Sequence, residues 1–183
     1  ISNYNFYGLW TFDDDLSNSI IVHDDSGNAH HGEIRDDVSS VKGKYGNAFS
    51  FDGSSDRVKL PNIVDAGSDD RSNLRNFTAQ GWFYFEDDGD HGGLFYDRQD
   101  AWFEIKIDNG LVPKCQVRVT DSDDDHHHYY LVDGDISLNT HQWYHFAMYF
   151  STDEEVIRCY IDGVDIMNET IESDSALEKD ADD

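Results

Sequence analysis

Oxygen-bearing side chains near the start of the chain have the character that a hard cation requires. Asp13 and Asp14 close an alternating apolar run, and Asp25 and Asn28 follow in a turn-rich loop. Calcium takes about six to eight oxygens from carboxylates and carbonyls on adjoining loops. If those two loops meet at one rim, Asp13, Asp14, Asp25 and Asn28 form a metal site. A second acidic run, residues 121–125, leads into His126, His127 and His128. Consecutive strand residues point to alternate faces, so three such histidines cannot reach one ion. That run reads as a solvated loop tip.

A different chemistry is written into the aromatic residues. A sugar ring stacks its apolar face on an indole or phenol, while its hydroxyls need donors and acceptors beside it. Trp82, Tyr84 and Trp102, with Gln80, Glu104 and Arg98, fall on strand faces opposite the apparent core, so they are expected to line one glycan groove. Large aromatics also flank sheet cores for structural reasons, and that is the competing reading. Acid–base catalysis has less support. Glu104 and Asp108 share a face but stand about 13 Å apart at strand rise, where a retaining glycosidase pair needs about 5 Å. Lys106 lies between them. His145 reads as a structural histidine, and no catalytic residue is expected.

Charge narrows the partners. The chain has 183 residues, with 39 acidic and 13 basic side chains and a formal net charge of −26. Such a surface repels itself at ordinary ionic strength, and the repulsion fades in molar salt, where the screening length falls to about 3 Å. Adaptation to high salt is therefore expected, alongside the compatible reading of an extracellular protein whose acids bind calcium. Nucleic acid is excluded as a partner, because no basic patch exists to displace its counterions. No apolar run approaches the roughly 20 residues of a spanning helix, so membrane insertion is not expected, and no secretory leader is visible. Cys115 and Cys159 both fall on apolar strand faces. Free buried thiols and a bridge formed in an oxidising compartment both fit; free thiols are the adopted reading.

The elements that must position these residues are strands. Residues 4–12 alternate, with Phe6, Gly8, Trp10 and Phe12 on one side, and residues 16–32 form a polar connection. Gly43 and Gly46 punctuate a turn; Ala48, Phe49 and Phe51 then read as a buried strand ended by Asp52-Gly53, and residues 56–61 alternate up to Pro61. Residues 62–76 lack periodicity. From Phe77 to Glu86, Phe77, Ala79, Gly81, Phe83 and Phe85 share one face, opposite Thr78, Gln80, Trp82 and Tyr84. Further strands are expected at 94–98, 101–108, 114–120, 129–133, 143–150, 156–162 and 164–167, with Asn109-Gly110 and Asp162-Gly163 as hairpin turns. Helical spacing is confined to a short stretch at 175–179. The pattern is all-β, a two-sheet antiparallel β-sandwich.

Several of these segments, taken in order, carry a family likeness. Gly8-Leu9-Trp10-Thr11-Phe12-Asp13, Asp25-Ser26-Gly27-Asn28 before His31-Gly32, and the stretch from Gly43 to Pro61 come first. Asn76-Phe77-Thr78 with Gly81-Trp82, Gln142-Trp143-Tyr144-His145 and Tyr160-Ile161-Asp162-Gly163 follow. Together they resemble the laminin-G-like, concanavalin A-like jelly-roll domains. The resemblance implies a jelly roll over residues 1–171, an acidic tail over 172–183, and a structural calcium near Asp13, Asp14, Asp25 and Asn28. It implies a non-catalytic recognition or adhesion module, extracellular or at the cell surface, within a larger secreted protein. The implied partner is a glycan or cell-surface polysaccharide, with a protein partner or spacer role as the alternative and a polysaccharide hydrolase or lyase behind it. The likeness fails at the end: such domains usually close with a strand beside the first, where this chain runs into acids. Either the fold is shortened or a partner supplies that strand.

Overall fold

The structure is a computed structural model that describes residues 6–17, 19–61, 76–89, 92–97, 102–120, 126–132, 136–151, 153–154 and 156–170. All the regular elements among them are strands, and the chain forms two compact units, Ile1–Ile63 and Val64–Asp183.

The first unit holds β1 (Ile21–Val22), β2 (Gly32–Arg35), β3 (Ser39–Lys42), β4 (Asn47–Ser50) and β5 (Arg57–Lys59). β1, β2 and β5 make an antiparallel sheet, and β3 and β4 a hairpin. The turn between β3 and β4 needs Gly46, whose φ is +57° and whose missing Cβ leaves room for the Asp13 carboxylate. Val22, Ile34 and Phe49 form the core, with Trp10, Phe12, Leu16, Val38 and Val58 packed against it.

Two expectations fail in this unit. Residues 6–12 do not form a strand: the stretch is irregular and Phe12 turns to φ +60°. Its alternation holds only over residues 9–12, where Trp10 and Phe12 pack on the core and Leu9 and Thr11 are exposed; Phe6, expected on the inward side, is 43% exposed. Phe51 lies just past the end of β4 and is 46% exposed, so it is not part of the buried row. β1, β2 and β3 are too short to leave a period in the sequence.

The second unit is a two-layer sandwich. One sheet runs β13-β12-β11-β6, built from β6 (Asn76–Tyr84), β11 (Trp143–Ser151), β12 (Val156–Ile161) and β13 (Val164–Thr170). The other runs β10-β9-β8-β7, built from β7 (Gly92–Asp97), β8 (Trp102–Asp108), β9 (Val112–Thr120) and β10 (His126–Val132). All pairings are antiparallel. Each sheet turns alternate residues inward: Phe146, Met148, Phe150, Ile157 and Cys159 from the first, Phe103, Ile105, Ile107, Cys115 and Val117 from the second. Phe77 on β6 meets Phe103 on β8 at 5.0 Å between ring centroids. Burying each such side chain stabilises the fold by about 1.5–3 kcal/mol.

The two cysteines are disulfide-bonded, contrary to the free-thiol reading. Cys115 on β9 and Cys159 on β12 face each other across the layers, with Cα atoms 6.6 Å apart. Their sequence positions 44 residues apart say nothing of that meeting, because it depends on which strands stack.

Asp162 and Gly163 join β12 to β13 with φ of +50° and +79°, the pair of positive values that a type I′ hairpin turn requires. The register slips once in that hairpin: Cys159 pairs with Met167 but Tyr160 with Asp165, leaving Ile166 as an extra residue in β13. His126, His127 and His128 are not a loop tip; they open β10, opposite Thr120, Val119 and Arg118. The loop at 62–75, the acidic run 121–125, the stretch 175–179 and the tail 172–183 lie outside the described residues. Among those described, no helix is long and apolar enough to cross a membrane.

Candidate functional site: an aromatic sheet face

The period of two in β6 decides what reaches its outer surface. Phe77, Ala79, Gly81 and Phe83 point inward, so Gln80, Trp82 and Tyr84 point out. Antiparallel pairing then sets a neighbour beside each: Ala147 beside Gln80, His145 beside Trp82 and Trp143 beside Tyr84. β12 extends the same rows with Tyr160 beside Ala147 and Arg158 beside Tyr149. The Trp82 and His145 rings meet edge-on at 5.2 Å, and Tyr84 packs on Trp143 at 5.4 Å. The Tyr84 hydroxyl is also 3.5 Å from Nδ1 of His141. Even so, Trp82 and Tyr84 each keep 40% of their surface accessible. Ala147 puts only a methyl group between Gln80 and Tyr160. The arrangement is a pair of propped aromatic rings beside amide, imidazole and phenol groups.

The six residues expected to form one groove are divided. Gln80, Trp82 and Tyr84 share the outer face of the β6 sheet, whereas Trp102 and Glu104 belong to β8 in the other layer, opposite Arg118 and Gln116. Glu104 points away from the shared core yet is only 1% exposed, and its carboxylate accepts a hydrogen bond from Nε2 of Gln116. The orientation of the Trp102 side chain and all of Arg98 lie outside what is described. Asp108, two positions along the face from Lys106, is tied to Lys106 at 2.8 Å and to Lys114. Burial pushes its carboxyl up, and the two ammonium groups bring it below the ordinary value.

His141, Trp143, His145, Tyr149, Arg158 and Tyr160 were not singled out as ligand residues from the sequence. Their alternation in 143–150 and 156–162 was visible. What was missing was the register that places those strands beside β6.

The proposed metal residues are each engaged separately. Oδ1 of Asp13 accepts the Asn47 amide at 2.7 Å. Asp14 accepts the His23 amide and pairs with its Nδ1 at 2.5 Å. Oδ2 of Asp25 accepts the Thr11 hydroxyl at 3.0 Å, and Asn28 donates its side-chain amide to the carbonyls of Phe6 and Tyr7. Among the described residues, no three of His, Cys, Asp and Glu gather as ion ligands.

The residue that organises this loop is Asp24, within the polar connection of residues 16–32. Its carboxylate is buried and accepts bonds from the amides of Leu9, Ser26 and His30 and from the Ser26 hydroxyl, at 2.8–2.9 Å. Burial alone raises its pKa, but these four donors outweigh it and hold the carboxyl far below the ordinary range. A depressed folded-state pKa means that the unfolded chain binds the extra proton first. The stabilisation is therefore complete above about pH 4 and drains away as pH falls further. Asp24→Asn is expected to cost about 2–3 kcal/mol at pH 7 and to lose its penalty progressively in acid. Urea midpoints of both proteins from pH 7 to pH 2 measure this; parallel curves would contradict it.

With this geometry in place, comparison with known proteins assigns the family. Residues 52–182 match the Laminin_G_3 family model, described as the concanavalin A-like lectin/glucanases superfamily. The chain belongs to that superfamily. No curated protein sequence matches it. Among solved structures it is similar to domain 4 of AbnA, a GH43 extracellular arabinanase from Geobacillus stearothermophilus, in complex with arabinotriose. There the TM-score is 0.61 at 21% identity, covering 90% of this chain and 74% of that one. An S-layer domain-containing protein from Clostridium thermocellum (residues 221–444) aligns at TM-score 0.54 and 22% identity, over 88% and 71% of the two chains. The binding domain of Paraclostridial Mosquitocidal Protein 1 aligns at 0.56 and 17%, over 90% of this chain and 39% of that one. At such identities the superfamily member shares their fold, the all-β sandwich anticipated from its strand pattern.

Proposed function

We propose that this chain is a non-catalytic carbohydrate-recognition module of a secreted or cell-surface protein, and that Gln80, Trp82 and Tyr84 carry the contact. The observation behind this reading is the adjacent pair Trp82 and Tyr84, accessible on one sheet face and propped from behind by His145 and Trp143. Large aromatics held rigid and partly exposed cost little entropy to engage and present the apolar surface on which sugars stack. The arabinotriose complex of the similar arabinanase domain makes arabino-oligosaccharides the first probes. The disulfide supports a location outside the reducing cytosol, as do the extracellular and S-layer contexts of the similar structures.

The non-catalytic part rests on the engagement of the nearest paired acids. Glu104 is held by Gln116 and Asp108 is paired with two lysines, an arrangement that favours a structural role for both acids. A glycan array, run with and without calcium in high salt, tests the reading. Binding that disappears in Trp82→Ala while the circular-dichroism spectrum is unchanged is the expected result. Silence across the array favours the second reading, a protein-interaction or spacer domain, for which the likeness to an S-layer protein speaks. Release of reducing ends or unsaturated sugars would instead mark an enzyme. Calcium enters the proposal as a structural ion of the loops around Asp13, Asp14, Asp25 and Asn28; an unchanged melting temperature on adding EDTA would remove it.

The net charge of −26 belongs to the same reading of a salt-loving organism. The melting temperature is expected to climb between 0.1 M and 2 M NaCl as self-repulsion is screened. A flat or falling curve would count against salt adaptation.

A further inference from the structure

We infer that the outer face of the β6–β11–β12 sheet seats a neutral glycan chain lying along β6 across consecutive sugar rings, rather than a terminal sugar or a polyanion. This rests on the carbohydrate reading above and specifies its ligand class.

The first argument is spacing. Trp82 and Tyr84 are two positions apart on one strand, which sets their Cα atoms about 7 Å apart along it. Each ring is supported by its own partner on β11, His145 for Trp82 and Trp143 for Tyr84. Two stacking surfaces in series suit two successive rings of a chain, whereas a single terminal sugar occupies one. The row continues past Trp82. Gln80 is exposed there, and its cross-strand neighbour Ala147 puts only a methyl group between it and Tyr160. A third ring would lie over that methyl group, with the Gln80 amide beside it to bond hydroxyls.

The second argument is charge. Beyond Tyr84 the chain runs into exposed Glu86, Asp87 and Asp88. At the opposite end of β6, Asn76 donates to the Asp153 carboxylate at 2.6 Å, with Glu154 next to it. Asp162 and Asp165 are exposed on the β12–β13 side. Across β6, β11 and β12, Arg158 is the only lysine or arginine. Tyr160, Asp165 and Glu154 all favour its charged form, and its Nε is buried without a hydrogen-bond partner among the described residues. A chain of uronic acids along β6 would pass carboxylates at both ends and meet a single guanidinium, on β12, with β11 lying between it and β6. Neutral hydroxyl-bearing rings meet no such penalty.

The test is titration calorimetry with the full chain at 0.15 M and 2 M NaCl. The probes are arabino-, xylo- and cello-oligosaccharides of one to six rings, with oligogalacturonates of matching length. Affinity for at least one neutral series should rise about tenfold or more from one ring to three and then level off. On the trimer, Trp82→Ala should bring binding below detection and Tyr84→Ala should lose about tenfold, both with an unchanged circular-dichroism spectrum. Oligogalacturonates should bind at least about tenfold more weakly at 0.15 M NaCl. Equal affinity for monomer and hexamer would overturn the extended mode. Tighter binding of oligogalacturonates, weakening as salt rises, would overturn neutrality; either result leaves the carbohydrate reading standing. If no oligosaccharide of either kind binds, that reading fails and takes this inference with it.

Discussion

Replacing Cys115 and Cys159 together by alanine should lower the unfolding free energy by about 4 kcal/mol, the loop-closure value for a cross-link spanning 44 residues. The bridge ties β9 of one layer to β12 of the other, so its loss releases the unfolded chain from a constraint that the folded sandwich satisfies. Single replacements should cost nearly as much, since either one removes the bond. Both half-cystines are buried, at 3% and 1% exposure. A reductant should therefore reach them only as the layers open, and reduction under native conditions should be slow. Urea unfolding with and without dithiothreitol gives the measurement: wild type should shift and the double variant should not. An unchanged midpoint, or two titratable thiols in the denatured protein under non-reducing conditions, would refute the cross-link.

Phe103→Ala should cost about 3–5 kcal/mol, the usual penalty for deleting a fully buried phenylalanine. Phe103 is 1% exposed and lies between Phe77 of the facing sheet, at 5.0 Å, and Phe95 of the neighbouring strand, at 5.3 Å. Its removal strips partners from both layers at once, and backbone pairing on each side limits collapse into the gap. Trp82→Ala is the control, because that ring stands on the outer face and much of it already meets solvent. It should cost about 1 kcal/mol or less while abolishing ligand binding. Differential scanning calorimetry of the two variants decides this. Equal losses would mean that Trp82 belongs to a core and is not a platform.

The inward rows of the second unit were legible because the alternation there is long: nine residues in β6, nine in β9 and nine in β11. Hairpin turns at Asn109-Gly110 and Asp162-Gly163 were equally plain, since they carry their own backbone chemistry. The first unit was harder. β1 has two residues and β2 and β3 four each, too few for a period to stand out, while residues 6–12 alternate without a ladder. Site prediction fell between these cases. The outward aromatics of β6 could be read directly, but membership of a common face depends on strand order, which a period of two does not encode. Glu104 and Trp82 look equivalent in sequence, yet they lie in different layers. The same gap hid the cystine: inward position was visible for both sulfurs, but not their juxtaposition.

The slipped pairing in the last hairpin has a consequence for crowding and assembly. Had the register run on unbroken from Cys159 opposite Met167, Ile166 would stand beside Tyr160 and the rim of the sheet would run straight. With the slip, Asp165 takes that place and the outermost strand bends. A bent, charged border is a poor template for a neighbouring molecule's backbone. Copies crowded together are then less prone to join edge to edge into fibres.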